Sequence, residues 1–176
     1  NGGTLNTVTE EYGAFKDTFA SIYVEMGNEI GSLGLSYQGD VSTPTNVNEK
    51  NGPDVSGEVK NNTSVSVDFS EVITIYGMVN LPLNTYLKAG YVHGDIIINE
   101  NQRSGNTYGN QDLKGYVAGF GYQHDADAAN VRFELLGHTY DDVESHNGVA
   151  TTGNHNKVRV SKMFGATAQI SVNKSF

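Results

Sequence analysis

The feature that most constrains this chain is a period of two. Along most of its 176 residues apolar side chains fall at every second place, with almost no competing helical pattern. The stretch "FASIYVEM" at 19–26 puts Ala20, Ile22, Val24 and Met26 on one face and Ser21, Tyr23 and Glu25 on the other. In 31–39, Leu33, Leu35 and Tyr37 oppose Ser32, Gly34, Ser36 and Gln38. Residues 63–81 read as one strand of one parity, through Val65, Val67, Phe69, Glu71, Ile73, Ile75, Gly77, Val79 and Leu81. That is longer than a typical soluble strand. The second half repeats the rhythm: Leu87, Ala89 and Tyr91 against Lys88, Gly90 and Val92, then Tyr116, Ala118, Phe120 and Tyr122 against Gly115, Val117, Gly119, Gly121 and Gln123. Val131, Phe133 and Leu135 then oppose Arg132, Glu134 and His138, and from Val158 the alternation runs to Phe176.

Strands are therefore expected at 18–27, 31–40, 63–81, 85–98, 113–124, 130–142 and 157–176. Short links ("GNEI", "NLPLN", "HDADAAN") alternate with long polar ones (41–62, "ENQRSGNTYGNQD", "DVESHNGVATTGNHN"). This makes the strands antiparallel, each beside the one before. The expected class is all-β, a single domain over 1–176 built as an antiparallel up-and-down barrel. Seven strands are one short of the eight implied by the family resemblance described below. The missing strand comes either from 1–17, where alternation is poor, or from a split at "MFGA" into 156–164 and 166–176. We prefer the first, because the parity of Val158, Val160, Phe164, Ala168 and Ile170 does not slip across Gly165.

Alternation does not say which face is dry. A soluble sandwich or lipocalin-like barrel turns the oily face inward, whereas a membrane barrel turns it to lipid around a polar lumen. Three features favour the membrane. The polar face is rich in Gly and Ser, as in "GYVAGFGY" and "SLGLSY", which suits a narrow interior. It carries Arg132 and Glu134, with Glu25 and Lys88 as partners, as a lumen polar network would. Aromatics gather toward strand ends (Tyr37, Tyr86, Tyr91, Tyr122, Tyr140, Phe176), where an interfacial girdle would lie. The modest 37% hydrophobic content is no objection, since a barrel strand needs an oily residue only at alternate places. No run approaches the roughly 18 to 20 apolar residues of a membrane helix.

Composition narrows the chemistry. There is no cysteine, hence no disulfide framework or thiolate metal site. A net charge of −9 argues against a phosphate-neutralising patch, so no nucleic-acid partner is expected. The start "NGGTLN", without a methionine, reads as that of a processed or trimmed chain. Among the five histidines and the carboxylates, His93, Asp95, Asp141, Asp142 and His146 would lie near loop ends. No base stands beside a nucleophile and no ordered ligand spacing appears, so neither an enzyme, a cofactor nor a metal is expected.

The stretches "ITIYGMVNLPLNTYLKAGYVHG", "GYVAGFGYQHDADAANVRFELLGHTYDD" and the terminal "ISVNKSF" resemble the small outer-membrane barrels of Gram-negative bacteria, the OmpA/OmpX/opacity-like group, over roughly 19–176. The resemblance implies eight strands, both ends in the periplasm and four longer outer loops. It also implies an outer-membrane location in contact with the lipid bilayer and lipopolysaccharide, and a C-terminal signal, Ile170, Val172 and Phe176, read by the barrel-assembly machinery. A structural and surface-interaction role, in adhesion or self-association, is expected. Val65, Val67, Phe69, Val158 and Val160 would form an apolar contact surface on strands projecting from the membrane, beside the loops at 41–62 and 143–155. The alternative is a porin-like channel for small solutes.

Overall fold

A computed structural model describes residues 14, 16–42, 46–48, 63–101, 108–126, 129–147 and 156–174, and none of these is helical. The strands in chain order are β1 (Ser21–Gly27), β2 (Gly31–Gln38), β3 (Val41–Ser42), β4 (Asn46–Asn48), β5 (Thr63–Leu81), β6 (Thr85–Asn101), β7 (Gln111–Asp125), β8 (Asn130–Tyr140), β9 (Val143–Asn147), β10 (Asn156–Val160) and β11 (Phe164–Asn173). One antiparallel sheet runs β1-β2-β5-β6-β7-β8-β11, with β3 and β4 added along β5. The two remaining strands, β9 and β10, pair with each other.

The period of two survives folding, but with its faces inverted relative to a soluble protein. Each of the seven main strands leaves a large apolar side chain bare on the convex face: Met26, Leu33, Ile75, Leu87, Phe120, Leu135 and Ile170 are all 53–84% exposed. Val172 and Phe133 stand there too, while Ser171 and Gly119 point to the half-buried concave side. An antiparallel sheet with one wet face ordinarily shows water its polar residues. This one keeps them inside.

The sheet curls until its two ends come within side-chain reach. Gln169 Nε2 on β11 donates to Ser21 Oγ on β1 at 3.3 Å, and Tyr23 OH donates to Ser171 Oγ at 3.4 Å. Among the described residues the far edges of β1 and β11 pair with no strand, so the sheet is an open half-barrel and not a closed ring. Every step between them is antiparallel. With seven strands on the path, β1 and β11 therefore point the same way. The eighth strand expected from 1–17 falls almost wholly outside the described residues.

Short connections at one end and long ones at the other define a turn end and a loop end. At the turn end Asn28 Oδ1 accepts from the backbone of Ile30 at 2.9 Å and Gly31 at 3.3 Å, a side chain mimicking a backbone turn. Pro82 sets the next turn, and Leu83 and Asn84 take up its left-handed conformation.

Four expectations need correction. First, 63–81 does not keep one parity. A β-bulge between Ser70 and Ile73, with Glu71 at φ 52°, inserts a residue and exchanges the faces of β5. Val67 and Phe69 are consequently half-buried, packed with Ile98 against a cluster of Val72, Val92, Ile96, Leu113, Val117 and Leu136, and do not form an outer surface. The side chains of Val65 and Val158 lie outside the described residues, and Val160 is 46% exposed. Second, 157–176 is not one strand. It breaks at 161–163, where Lys162 has φ 56°, into β10 and β11. Across from it β8 stops at Tyr140, so one long hairpin kinks and continues as the β9–β10 ribbon, joined at the kink by Tyr140 N–H to Met163 O at 3.0 Å. Third, the loop expected over 41–62 contains β3 and β4, which extend the sheet along β5. Fourth, of the expected girdle, Tyr37, Tyr91 and Tyr122 face outward, but Tyr86 is buried inside and Tyr140 packs against the apolar cluster. Phe176 lies outside the described residues.

Candidate functional site

The concave side is layered. Nearest the turn end the four charged residues Glu25, Lys88, Arg132 and Glu134 meet in one network, built from two rows of the same design. In the first, Glu25 on β1, Gly34 on β2 and Tyr76 on β5 are consecutive cross-strand partners. In the second, Glu134 on β8, Gly121 on β7 and Tyr86 on β6 are. In each the tyrosine lies flat over the glycine and its hydroxyl donates to the carboxylate beyond, Tyr76 to Glu25 at 2.8 Å and Tyr86 to Glu134 at 2.9 Å. The glycines are required by this close approach: a Cβ on Gly34 would stand 2.3 Å from Tyr76 Cζ, and one on Gly121 2.3 Å from Tyr86 Cζ.

Each cation then ties the rows together. Arg132 Nη1 reaches both oxygens of Glu25 at 2.7 Å, while its guanidinium stands 5.5 Å from the Tyr86 ring of the other row. Lys88 Nζ donates to both oxygens of Glu134 at 3.1 and 3.2 Å and lies 4.0 Å from the Tyr76 ring centroid. Arg132 Nε also donates to Gln123 at 2.7 Å. Two carboxylates and two cations leave the layer with no net charge. A buried charge is tolerated only when paired and hydrogen-bonded in this way.

Above this layer lies a cavity of about 40 Å³ whose lining includes Lys88, Thr74, His138, Thr167 and Gln169. That is room for a few waters. Both ring nitrogens of His138 are buried with no hydrogen-bond partner, and its ring stacks on Tyr140 at 6.0 Å. Above the cavity the apolar cluster fills the loop end of the curl. The sequence singled out the four charges by parity and sign. It missed Tyr76, Tyr86, Gly34, Gly121 and His138 as their companions, although all five share the inward parity.

The loop-end groups weighed for chemistry are spread over the convex surface. His93 is in register with Lys114, and Asp95 with Asp112. Lys114 bonds Asp112 at 2.9 Å, and this contact holds the Asp112 carboxyl below its usual range. Arg159 bonds Asp142 at 2.5 Å, and His146 lies 3.1 Å from Glu144. The exposed Asp141 donates its backbone N–H to Lys114 O at 2.8 Å. Among the described residues no group of three or more His, Cys, Asp or Glu is placed to hold a metal ion. The chain matches no protein-family model, no curated protein and no solved structure.

Proposed function

We propose that this chain is a transmembrane β-barrel of a Gram-negative outer membrane, of the OmpA/OmpX/opacity-like kind, serving as a surface scaffold and not as an open pore. The observation that carries the reading is the bare apolar belt on all seven main strands. At roughly 25 cal/mol per Å², so much apolar surface facing water would be untenable, whereas lipid makes it the stable arrangement. The 19, 17 and 15 residues of β5, β6 and β7 exceed the roughly 9 to 11 that cross a bilayer, so these strands rise past it at the loop end. Because β1 and β11 run the same way, one further antiparallel strand between them would close an eight-stranded barrel; the segment before β1 is the source expected from the sequence.

The filled interior supports the scaffold reading over the channel. An ionic layer and an apolar cluster lie in series along the axis, and an apolar constriction resists wetting. Function then belongs to the loop end, through the β9–β10 ribbon with Val160 and through the long connections, in adhesion, self-association or contact with lipopolysaccharide. The outward face of the raised strands carries Asp68, Ser70, Asp95 and Asp112 beside Ile97, so those contacts are mainly polar where an oily surface was expected from the sequence. Ile170 and Val172 remain candidates, with Phe176, for the signal read during assembly.

Two measurements test this. Membranes carrying the protein should release it to detergent and not to alkaline salt washes. In planar bilayers the purified barrel should show no steady conductance. Release by alkaline washing sinks the membrane reading, and steady large conductance sinks the scaffold in favour of the channel.

A further inference from the structure

Among the described residues His138 is an interior histidine that the paired network leaves out. Its two ring nitrogens are buried without partners, beside a cavity it shares with Lys88. Besides His138, the titratable groups lining that space are Lys88 from β6 and Tyr23 from β1; Tyr140 of β8 stacks on the imidazole, Tyr76 of β5 and Glu134 of β8 lie against Lys88, and among the described residues β2, β7 and β11 line it with none. Tyr76 is committed to Glu25, and Glu134 already accepts from Lys88 and Tyr86. A neutral imidazole can be served by water in the cavity as donor and acceptor. A protonated one has no carboxylate hydrogen-bonded to it and adds a second cation beside Lys88.

We propose that His138 is a proton-binding site of the interior, through which acid loosens the Lys88–Glu134 pair. Proton uptake there sets a new positive charge against the neutral layer, and that charge repels Lys88, the cation that holds Glu134. Histidine is the side chain suited to respond in mildly acidic surroundings.

The test is the rate of heat unfolding of the purified chain in detergent micelles, followed by electrophoretic mobility, at about pH 7.5 and about pH 5. The wild type should unfold faster in acid by on the order of tenfold, because the unfolded chain takes up the proton more readily than the native interior does. His138→Gln and His138→Asn, which hydrogen-bond without titrating, should show at most a small part of that acceleration. Equal acceleration in the wild type and either variant overturns the proposal. A measurement on the wild type alone guards against variants that do not fold. By NMR the His138 ring and the Lys88 side chain should share one titration step, and a Lys88 signal indifferent to it would also overturn the proposal. The inference stands apart from the membrane reading. If the chain folds in plain buffer, the same comparison made there decides it.

Discussion

A tyrosine laid over a glycine is the smallest unit of this interior, and it occurs twice. The ring can lie along the wall only because its cross-strand partner lacks a Cβ, and lying there puts the hydroxyl within 2.9 Å of a carboxylate one strand further on. Gly121→Ala should therefore force Tyr86 off Glu134 and cost about 1 to 3 kcal/mol, read as a lower unfolding midpoint. Ala118→Gly on the same strand, at an exposed outward position, should cost less than about 1 kcal/mol. The charged members of these rows were legible in the sequence because a charge on an otherwise small, polar face demands a partner. The tyrosines were not, since the same residue type serves equally at a membrane interface, and its place among the strand-end aromatics masked the inward parity that Tyr86 shares with Lys88. Glu71 raises a separate point. Its φ of 52° suits glycine and penalises branched side chains, so Glu71→Val should cost about 1 to 2 kcal/mol while Glu71→Gly folds at least as well.

At the scale of elements, lengths and order were legible and irregularities were not. Alternation located β5 to its last residue, because its apolar positions continue on both sides of the bulge. An inserted residue that exchanges two apolar faces leaves no gap in such a pattern, and only the adjacent pair Val72 and Ile73, with Glu71 in an oily register, hinted at it. The break at 161–163 is quieter still, since Val160 and Phe164 are both exposed and parity is kept while partners change. That kink is held by Asp142, which accepts from Arg159 at 2.5 Å and from the backbone N–H of Lys162 at 3.2 Å. These contacts, the Arg159 hydrogen bond first, hold its carboxyl below the usual range. A depressed carboxylate stabilises above its unfolded pKa, and that contribution is lost as pH falls through the folded value. Protection of β9 and β10 against amide exchange, taken relative to the intrinsic rate at each pH, should therefore fall below about pH 4, while β7 stays protected. Asp142→Asn should show the quicker exchange already at neutral pH. A ribbon whose exchange ignores both changes would show that the kink is held by something else.

For the whole molecule, the inverted faces set the response to substitution. An arginine at Phe120 or Ile170, mid-strand in the bare belt, should cost about 2 to 4 kcal/mol in a bilayer, measured by reversible unfolding in lipid. Arginine at Lys174, outward at the turn end, should be near neutral. The all-β antiparallel class was legible because period two persists over so many strands. How near the first and last strands come was not, because it is a matter of distance around the curl and leaves no trace in local pattern. That distance has a kinetic consequence. All the main pairings from β5 to β8 join neighbours along the chain, whereas Glu25 and Arg132 lie 107 residues apart, so their bond can form only once the intervening strands are in place. The ion pair should behave as a latch that shuts last. Arg132→Met, which strands Glu25 without its cation, should leave the refolding rate nearly unchanged and speed unfolding by tenfold or more, about 1.4 kcal/mol falling wholly on the escape from the native state.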